Sequence, residues 1–555
     1  MSSTRAPLLA VLAVGATIMT GLPAAAAPAA PAPVEASAVR TASGGYDIVV
    51  NGVTLAGVGV SDPAYTVSVT PHPGGRRAAV ITDFDGTSGA ELRLVGLDLA
   101  APRTLHTGRI TSAAWSASGS LAHVADGVLR VQGTATAIRL PGVTPRLLGW
   151  AGERALYAET HPGAANESGY VPSAVRVDLA TGAITTVLAS DPARSIVYRD
   201  LRLVTVDGVQ RLSYVLAQHV HPCGGAVTAI GLADLTGTQV LAVGATGDSY
   251  RSAVFSPDGR SVAAERQACV TPAEKASGPE TALARVGGVN GVHIIDVSSG
   301  ASRRVVAGLA VNFPLAGWSG TSVRLASTRF GDRRVDASAA TPADAAALDA
   351  AVAPRASTQA RINPNKFVHQ LWDTRDEFNG NSACGPTSAV MDLAGYQLPN
   401  EWGIQVSSPS SHWSRWGLYI TNTFSNAGTT FNRTQPDASG RGAWTGAYGW
   451  MVRDYRVGTY WNEMTDFLQR NGATVRTGLY DAAWIRARIN EGYMVVTSGM
   501  YVYGQYGHIA LITGYTDDGR FYVNDPYGNG TDASFDGQNS VYTLDYIRPK
   551  NYWAA

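Results

Sequence analysis

The strongest constraint on the fold is a strand-turn-strand phrase that recurs through residues 36–327. Its clearest copy, AVFSPDGRSVAAE at residues 253–265, joins two apolar strands through a Pro-Asp-Gly turn. Weaker copies read TPHPGGRRAAV, AAWSASGSLAHV, LGWAGERALYA and AGWSGTSVRLAS. Between them lie phrases such as AVRVDLATGAITTVL, in which a Thr-Gly turn joins two strands. Recurrence roughly every 35 to 60 residues is typical of four-stranded blades, so the sequence predicts an all-β region here.

These repeats resemble the irregular propeller repeats of periplasmic Tol-system proteins and their WD-like relatives, and the Ser-Pro-Asp-Gly turn at 256–259 is the best match. The resemblance implies a β-propeller of about six blades, with seven as an option. A pair of β-sandwiches is the alternative fold. No residue of the region has a catalytic pattern, so the propeller could gate a site, recruit a substrate, or bind a protein or surface partner.

The first 27 residues have the pattern of a signal peptide. Arg5 precedes the apolar stretch APLLAVLAVGATIMTGL, and small residues near Ala26 follow at the spacing that signal peptidase accepts. We therefore expect a secreted, extracellular protein, with cell-wall association as an option; an uncleaved membrane anchor is the alternative. No other segment is apolar enough to span, so no stable membrane insertion is expected after signal removal. A formal net charge of zero gives no reason to expect a nucleic-acid partner.

The chain contains three cysteines, Cys223, Cys269 and Cys384. Because export favours disulfides, we expect Cys223 and Cys269 to pair. A metal site formed by His219, His221 and Cys223 is the alternative for that region. Otherwise the sequence predicts neither a metal nor a cofactor. Cys384 is then an odd thiol, which in an exported protein needs a reason.

An Ala- and Pro-rich segment at residues 328–364 separates the β-rich region from a domain of different composition. It could be a flexible tether with a short helix from Pro342 to Val352. Nine of the twelve tryptophans follow it, which indicates a second domain with its own core over residues 365–555. Helical spacing in YWNEMTDFLQRNGA and DAAWIRARINEG, followed by the apolar strand YMVVTSGMYVYG, predicts an α+β fold there and a multidomain chain.

Cys384 lies where a helix is predicted to begin. Gly385 and Pro386 open the apolar helical run TSAVMDLAGY, with Pro at an early helical position. At a helix N-terminus the free backbone N–H groups and the positive end of the dipole stabilise the thiolate form of a cysteine. Cys384 is therefore a candidate nucleophile.

A nucleophilic thiol needs a base, and the phrase QYGHIALITGYTDDGRFYVNDPYG predicts a hairpin that could supply one. His508 begins the first strand, an Asp-Asp-Gly turn follows, and Asp525 ends the second strand. Since the start of one hairpin strand lies beside the end of the next, His508 and Asp525 are expected to be neighbours. Asp525 would then orient the imidazole. Asn524 points to the other face by strand parity and is the second choice.

Gln370, in FVHQLW, is the candidate donor to an oxyanion. Its side-chain amide could act opposite the backbone N–H of Cys384, and the two donors would form an oxyanion hole. With His508 and Asp525, these residues would make up a complete reaction site.

The phrases HQLWDTRDEFNGNSACGPTSAVM, GHIALITGY and VNDPYG resemble papain-fold cysteine peptidases, most closely the bacteriocin-processing peptidase type and its stand-alone exported relatives. The resemblance implies a papain-like domain with Cys384 as nucleophile, His508 as general acid and base, Asp525 as orienting carboxylate and Gln370 as oxyanion donor. Bacteriocin processors are fused to ATP-driven transporters and cut after a double glycine. This sequence has neither transporter nor ATPase, so that specificity does not carry over.

The sequence thus predicts a secreted cysteine peptidase that hydrolyses a peptide or protein substrate through a Cys-His-Asp triad and a thioester acyl-enzyme. Two alternatives stay open. One is a murein peptide hydrolase or amidase of the cell wall with the same triad. The other is a non-catalytic binding protein based on the propeller.

Two further histidines and two acidic stretches have weaker patterns. His369 adjoins Gln370 and is expected to be a surface residue, with a position behind Gln370 or on the substrate side as the alternative. His412 belongs to an aromatic insertion from Leu398 to Arg456, for which extra core is favoured over a lid that grips an extended peptide or glycan. DTRDEFNGN and DPYGNGTDASFDGQN contain oxygens that suit calcium, but neither matches an EF-hand loop, and solvated turns are expected.

Overall fold

The computed structural model describes residues 34–554, with gaps at 42–43, 61–66, 83–88, 143–144, 162–171, 192–195, 218–226, 247, 269–286, 309–314, 328–330, 351–360, 408–410, 439–441, 455–457, 460, 480–481, 500–507, 530–535 and 548. The described residues belong to one compact unit. The proposed signal peptide, the Cys223–Cys269 disulfide and the site with His219 and His221 fall outside them and stay predictions. Within the described ranges, no helix is both long and apolar enough to cross a membrane.

In the described part of the N-terminal region, seven sheets of mainly antiparallel strands follow one another. β1–β3 form the first sheet, β4–β7 the second, β8–β11 the third, β12–β15 the fourth, β16–β19 the fifth, β20–β23 the sixth and β24–β26 the seventh. The strands are β1 (Ala36–Arg40), β2 (Tyr46–Val50), β3 (Val53–Val58), β4 (Ser68–Pro71), β5 (Arg77–Thr82), β6 (Ala90–Gly96), β7 (Arg103–Gly108), β8 (Ile110–Trp115), β9 (Leu121–Ala125), β10 (Val128–Val131), β11 (Ala137–Arg139), β12 (Arg146–Ala151), β13 (Ala155–Thr160), β14 (Ser173–Asp178), β15 (Ile184–Leu188), β16 (Val197–Val206), β17 (Val209–Ala217), β18 (Val227–Ala233), β19 (Gln239–Thr246), β20 (Asp248–Phe255), β21 (Ser261–Ala268), β22 (Gly291–Asp296), β23 (Ser302–Ala307), β24 (Leu315–Ser319), β25 (Ser322–Ser327) and β26 (Gly331–Asp336).

A tryptophan contact recurs between neighbouring sheets. In each case the indole N–H, on the first strand of one sheet, donates to a backbone carbonyl on the first strand of the preceding sheet. The bonds run from Trp115 to Thr70 at 3.0 Å, from Trp150 to Ala114 at 3.0 Å and from Trp318 to Val254 at 2.9 Å. The Trp positions of the recurring phrase therefore hold successive sheets together.

Glu35 joins the seventh sheet to the first. Its carboxylate, immediately before β1, accepts a hydrogen bond from Ser319 Oγ at 2.6 Å and pairs with Arg334 of β26. The sheets thus close into a ring, which is the arrangement of a propeller. The propeller prediction is confirmed, and the described residues form seven sheets, the number left as an option beside about six. The first and fifth sheets contain no copy of the recurring phrase, so a count of the copies is lower than the number of sheets.

The Thr-Gly and Ser-Gly turns of the blades are built around an aspartate that precedes them. Asp178 Oδ1 accepts hydrogen bonds from the backbone N–H groups of Ala180 and Thr181. Asp296 accepts hydrogen bonds in the same way. These bonds lower the pKa of Asp296 to about 2, and the one from the Ser298 hydroxyl has the largest effect. Gly182 has φ +73° and Gly300 has φ +70°, which glycine adopts without strain.

Regular structure extends into the segment that the sequence suggests is a linker. β26 continues the seventh sheet to Asp336, and β27 (Ala343–Asp344) pairs in parallel with β23. Helix α1 follows at Ala345–Ala350, inside the predicted helical stretch. The propeller sheets therefore continue past residue 327.

A seven-stranded antiparallel sheet organises the C-terminal region, in the order β35-β40-β36-β37-β38-β39 with β28 paired to β37. Its strands and those of three short ribbons are β28 (Arg361–Ile362), β29 (Ile404–Val406), β30 (His412–Ser414), β31 (Phe424–Asn426), β32 (Thr429–Phe431), β33 (Val452–Asp454), β34 (Gly458–Thr459), β35 (Arg476–Leu479), β36 (Val495–Gly499), β37 (His508–Tyr515), β38 (Phe521–Asn524), β39 (Ser540–Tyr542) and β40 (Pro549–Ala554). The helices are α2 (Cys384–Gly395), α3 (Leu418–Thr421), α4 (Gly446–Met451), α5 (Trp461–Arg470), α6 (Ala482–Asn490) and α7 (Leu544–Ile547).

Alternate residues of β37 face two different cores. Ile509 and Leu511 pack in the cluster that contains α2, whereas Ala510 and Ile512 pack in the cluster that contains α6. This is the period of two expected of a strand with helices on both faces. The α+β prediction is confirmed, and the two cores fix α2 against the strand that begins at His508.

The 398–456 insertion is mainly core. Trp416, Phe424, Phe431 and Tyr448 are buried in the same cluster as α2. On the outer side of the insertion, Trp402 is 50% exposed and Trp413 is 60% exposed. The insertion therefore supports the helix that carries Cys384, as the favoured interpretation of the sequence expects.

Candidate active site

Cys384 is the first residue of α2, as predicted, and is half-buried. Ala383 at the N-cap makes no side-chain hydrogen bond to the helix, so the thiol lies beside uncapped N–H groups at the positive end of the dipole. Gly385 lets β34 pack closely, because a Cβ at that position would lie 2.1 Å from Thr459 Oγ1.

His508 and Asp525 are hydrogen-bonded, as the hairpin predicts. Nε2 of His508 lies 2.8 Å from Oδ1 of Asp525, and the two residues are 5% and 0% exposed. A bulge between Ile512 and Gly514 shifts the register of the hairpin, yet His508 and Asp525 still meet at its open end. The histidine also hydrogen-bonds Cys384. Because Nε2 binds the carboxylate, Nδ1 is the ring nitrogen left for the thiol.

The protonation of His508 depends on its two partners. Burial by itself lowers the pKa of this imidazole, but the charge and hydrogen bond of Asp525 and the hydrogen bond of Cys384 raise it from 6.5 to about 9. At neutral pH the imidazole is therefore protonated. An imidazolium beside a thiol stabilises the thiolate form.

The Asp525 carboxylate accepts three hydrogen bonds. Besides His508, the Tyr527 backbone N–H donates to Oδ1 at 2.9 Å and the Tyr542 hydroxyl donates to Oδ2 at 3.1 Å. These bonds hold the carboxylate in place beside the imidazole. Sequence reasoning missed Tyr542, which lies on β39, the strand beside β38.

Asn524, the second choice for the orienting role, has other partners. Its side-chain amide donates to Asn365 Oδ1 at 3.0 Å and to the Lys366 carbonyl at 2.9 Å, and its Oδ1 accepts from the Asn539 N–H at 2.9 Å. Asn524 therefore ties β38 to the segment before Gln370, on the face away from Asp525.

Gln370 lies in a buried turn over residues 369–374, called here the Gln370 turn. Its Nε2 donates to the Gly380 carbonyl at 2.8 Å, and its backbone N–H donates to the Pro526 carbonyl at 2.7 Å. The same Gly380 carbonyl accepts from the N–H of Ala383 at 2.9 Å. One carbonyl thus links the Gln370 amide to the residue before Cys384, and the second N–H of that amide is left to donate elsewhere.

Gly380 is a position that no other residue can fill without strain. Its φ is +71°, and a Cβ would lie 2.1 Å from the Gln370 carbonyl oxygen. The Asn-Gly pair in FNGNSACG signals a turn, but the close approach to Gln370 is visible only in three dimensions.

His369 is buried, which corrects the expectation of a surface residue. It is 1% exposed and stacks on Trp372 with ring centroids 4.6 Å apart. Its Nδ1 accepts the backbone N–H groups of Leu371 at 3.1 Å and Trp372 at 3.3 Å. The imidazole thus serves as the acceptor for two backbone N–H groups of the Gln370 turn. These hydrogen bonds help to set the conformation of the turn.

Asp373 connects the Gln370 turn to the insertion. Its Oδ2 accepts the His369 N–H at 2.8 Å, and its Oδ1 is 2.7 Å from His412 Nε2 on β30. Ser414 Oγ also donates to the Asp373 carbonyl at 2.7 Å. His412 therefore lies beside the turn rather than beside the thiol.

The acidic residues near Asp373 have protein partners. The Asp376 carboxylate accepts hydrogen bonds from Ser407, and Glu377 pairs with Arg375. In the part of the chain that the structure describes, no group of three or more acidic, histidine or cysteine side chains is arranged as a metal site. The second acidic stretch is described only in part.

Residues 361–549 match the model of the Peptidase_C39 like family. Comparison with curated proteins gave no match. Similar solved structures include a prolyl endopeptidase (14% identity, 47% of this chain and 38% of that chain, TM-score 0.31). They also include TolB from Acinetobacter baumannii (14% identity, 48% of this chain and 62% of that chain, TM-score 0.29). A third is the β-propeller domain of Cps50 (Swd1) from Myceliophteria thermophila (12% identity, 49% of this chain and 96% of that chain, TM-score 0.27).

These solved structures have TM-scores too low to support a fold assignment, so the propeller rests on its own sheet order. The chain spans less than two thirds of the first two. The family match covers the segment that contains Cys384, His508, Asp525 and Gln370. The C-terminal region therefore resembles the Peptidase_C39 like family, which supports a peptidase.

Proposed function

We propose that the protein is a cysteine peptidase in which Cys384, His508 and Asp525 form the catalytic triad and Gln370 donates to the oxyanion. The observation that carries the proposal is the buried 2.8 Å hydrogen bond between His508 and Asp525, with Cys384 as the second partner of the imidazole. A thiol nucleophile is activated by a neighbouring imidazole, which is oriented in turn by a carboxylate, and the three side chains have that order here.

In the first step, the Cys384 thiolate attacks the carbonyl carbon of the scissile amide. A C–S bond forms, and the C=O π electrons move onto oxygen. The amide N–H of Gln370 and the backbone N–H of Cys384 donate to this oxygen, which is where charge develops in the transition state. The intermediate then collapses, the C–N bond breaks, and the protonated His508 gives its proton to the leaving amine.

In the second step, water hydrolyses the thioester. Neutral His508 takes a proton from the water, whose oxygen attacks the acyl carbon. Collapse breaks the C–S bond, releases the carboxylic acid and returns the thiolate beside a protonated imidazole. Asp525 accepts the hydrogen bond of the ring and stabilises each imidazolium that forms.

The substrate class is a peptide or protein, and the signal-peptide pattern of residues 1–27 supports export to the extracellular space or the cell wall. Double-glycine specificity is not part of the proposal. N-terminal sequencing of the secreted protein tests export, with a start near residue 27 expected. A mature protein that begins at Met1 would contradict export.

Hydrolysis is tested on two substrates, an unfolded protein and purified murein, with new amino groups measured in each. We expect wild type to release amines, Cys384→Ala to release none, and the helix control Ser388→Ala to behave as wild type. Ser388 Oγ donates to the Ile509 carbonyl at 3.1 Å, so this control perturbs the same helix without touching the triad. Acid quenching should trap an acyl group on Cys384 by mass. Equal release by wild type and Cys384→Ala would contradict the proposal, and the preferred substrate separates a protein peptidase from a murein hydrolase.

A further inference from the structure

The Gln370 turn is in contact with the propeller as well as with the triad. Leu371 and Trp372 form a small buried apolar cluster with Ala268, and the partly buried Val289 and Tyr527 pack against it. Ala268 is the last residue of β21, and Val289 lies two residues before β22, so both lie at the edge of the sixth propeller sheet. The side chains that follow Gln370 in sequence are therefore seated on the propeller.

The same cluster reaches the segment that carries the triad carboxylate. Tyr527 donates its backbone N–H to Asp525 Oδ1 at 2.9 Å. Gln370 donates its own N–H to the Pro526 carbonyl at 2.7 Å. The turn with the oxyanion donor and the segment with the orienting carboxylate are thus joined to each other, and both meet the propeller at one place.

The propeller side of this contact is firmly held. The Ala268 N–H donates to the buried Asn290 Oδ1 at 2.8 Å, and His293 Nε2 donates to the Val289 carbonyl at 2.8 Å. These bonds fix both apolar residues to β21 and β22. This surface can therefore hold the Gln370 turn in one position, because close-packed side chains transmit small shifts.

A second contact joins the propeller to the hairpin that carries His508 and Asp525. Arg40 of β1 donates from Nη1 to the carbonyl of Asp518, in the hairpin turn, at 3.0 Å. Val60 packs against the α6 core cluster. The propeller therefore touches the hairpin and the Gln370 turn, the two elements that must be aligned for the reaction.

We propose that the propeller positions the oxyanion donor, with Ala268 and Val289 as positioning residues that hold the Gln370 turn through Leu371 and Trp372. This inference rests on the proposed function. It gives the propeller a part in the reaction that does not require it to bind a separate partner. Misplacement of a catalytic group by about 1 Å can lower a rate by about 100-fold, so a partial loosening should have a smaller but measurable effect.

The test uses the full-length protein with Val289→Ala, which removes packing, and Ala268→Val, which adds bulk against Trp372. Val297→Ala is the matched control, because Val297 is also partly buried in the propeller but packs in a cluster made of propeller residues alone. Three quantities are measured: kcat and KM for the protein substrate, the affinity of a peptide aldehyde, and the rate of Cys384 alkylation by iodoacetamide. The aldehyde forms a tetrahedral adduct that needs the oxyanion donors, whereas alkylation needs the thiolate alone.

We expect Val289→Ala and Ala268→Val to lower kcat and aldehyde affinity by about 10-fold, with KM and alkylation within about twofold of wild type. Val297→Ala should match wild type in all three. If the two variants equal Val297→Ala, or if alkylation falls in parallel with kcat, the inference is wrong while the proposed function stands. Absence of Cys384-dependent hydrolysis in wild type would instead overturn both. Thermal melts identify a variant that fails to fold, and the two variants stress the contact in opposite directions.

Discussion

Two histidine–aspartate pairs in the described part of the C-terminal region have nearly the same N···O distance and different surroundings. His508 Nε2 is 2.8 Å from Asp525 Oδ1, and His412 Nε2 is 2.7 Å from Asp373 Oδ1. The side chains of the first pair are 6% and 0% exposed, and those of the second are 30% and 22% exposed. The first pair meets Cys384, whereas the second joins a surface ribbon to the Gln370 turn.

The difference shows that the distance between an imidazole and a carboxylate does not identify a catalytic pair. Burial strengthens the interaction of His508 with Asp525, because water no longer screens it. The second pair is partly open to water, which screens it, so it adds little to stability. The thiol beside the first pair is the reason why the proposed chemistry is given to His508.

The largest expected effect separates the two histidines directly. His508→Ala should lower kcat/KM by about 10⁴-fold or more, because it removes the group that donates and accepts protons. His412→Ala should stay within about 10-fold of wild type. Steady-state hydrolysis of the protein substrate measures both. Similar losses in the two variants would break the distinction between the pairs.

The two aspartates should differ in the same direction. Asp525→Asn should lower kcat by about 10³-fold, since an amide cannot stabilise the imidazolium and favours the wrong orientation of the ring. Asp373→Asn retains an acceptor oxygen for the His369 N–H and should cost less than about 10-fold. The comparison fails if Asp373→Asn is the more damaging change in kcat.

Gly380→Ala sharpens the comparison by testing the oxyanion side of the site. The Cβ would meet the Gln370 carbonyl at 2.1 Å, so we expect kcat to fall by about 100-fold. The unfolding free energy should fall by about 1–3 kcal/mol. Gly472→Ala is the matched control, because φ there is +94° and a Cβ would meet nothing within 4 Å. It should lose stability without loss of kcat, and equal kcat in the two variants would contradict the role given to Gly380.

The smallest expected effect is on the pH dependence of stability. The pKa of His508 is raised to about 9 in the folded protein from 6.5, so its contribution is fully present below pH 6.5 and is lost as pH rises through 9. Denaturant unfolding at pH 7 and pH 9.5 should show a loss on the order of 2 kcal/mol in wild type. Asp525→Asn should show a smaller loss, and an equal loss would place the titrating group elsewhere.

The parts of the site that could be predicted from the sequence are those fixed by local rules. Gly385 and Pro386 mark a helix that begins at Cys384, and strand parity with a tight turn brings His508 to Asp525. Both depend on residues close together in the chain. The recurring turns indicate the propeller for the same reason.

The remaining parts depend on contacts between distant segments. His369 is buried in the Gln370 turn, which contacts the propeller and β30, and its sequence neighbours indicate neither contact. Tyr542 reaches Asp525 only because β39 pairs with β38. Counting copies of the turn phrase misses the first and fifth sheets, because neither contains one and both are recognised only by their strand pairing.

The central claim is that His508 and Asp525 activate the thiol of Cys384, and the rate of its alkylation by iodoacetamide between pH 5 and 10 tests this most directly. Mass spectrometry locates the label, with wild type, Asp525→Asn and His412→Ala compared. The account predicts that Cys384 in wild type and His412→Ala reacts at pH 6 to 7 at least about 10-fold faster than an ordinary thiol, and that Asp525→Asn loses most of this advantage. Reaction no faster than that of an ordinary thiol, or a Cys384 paired with Cys223 or Cys269, would contradict it.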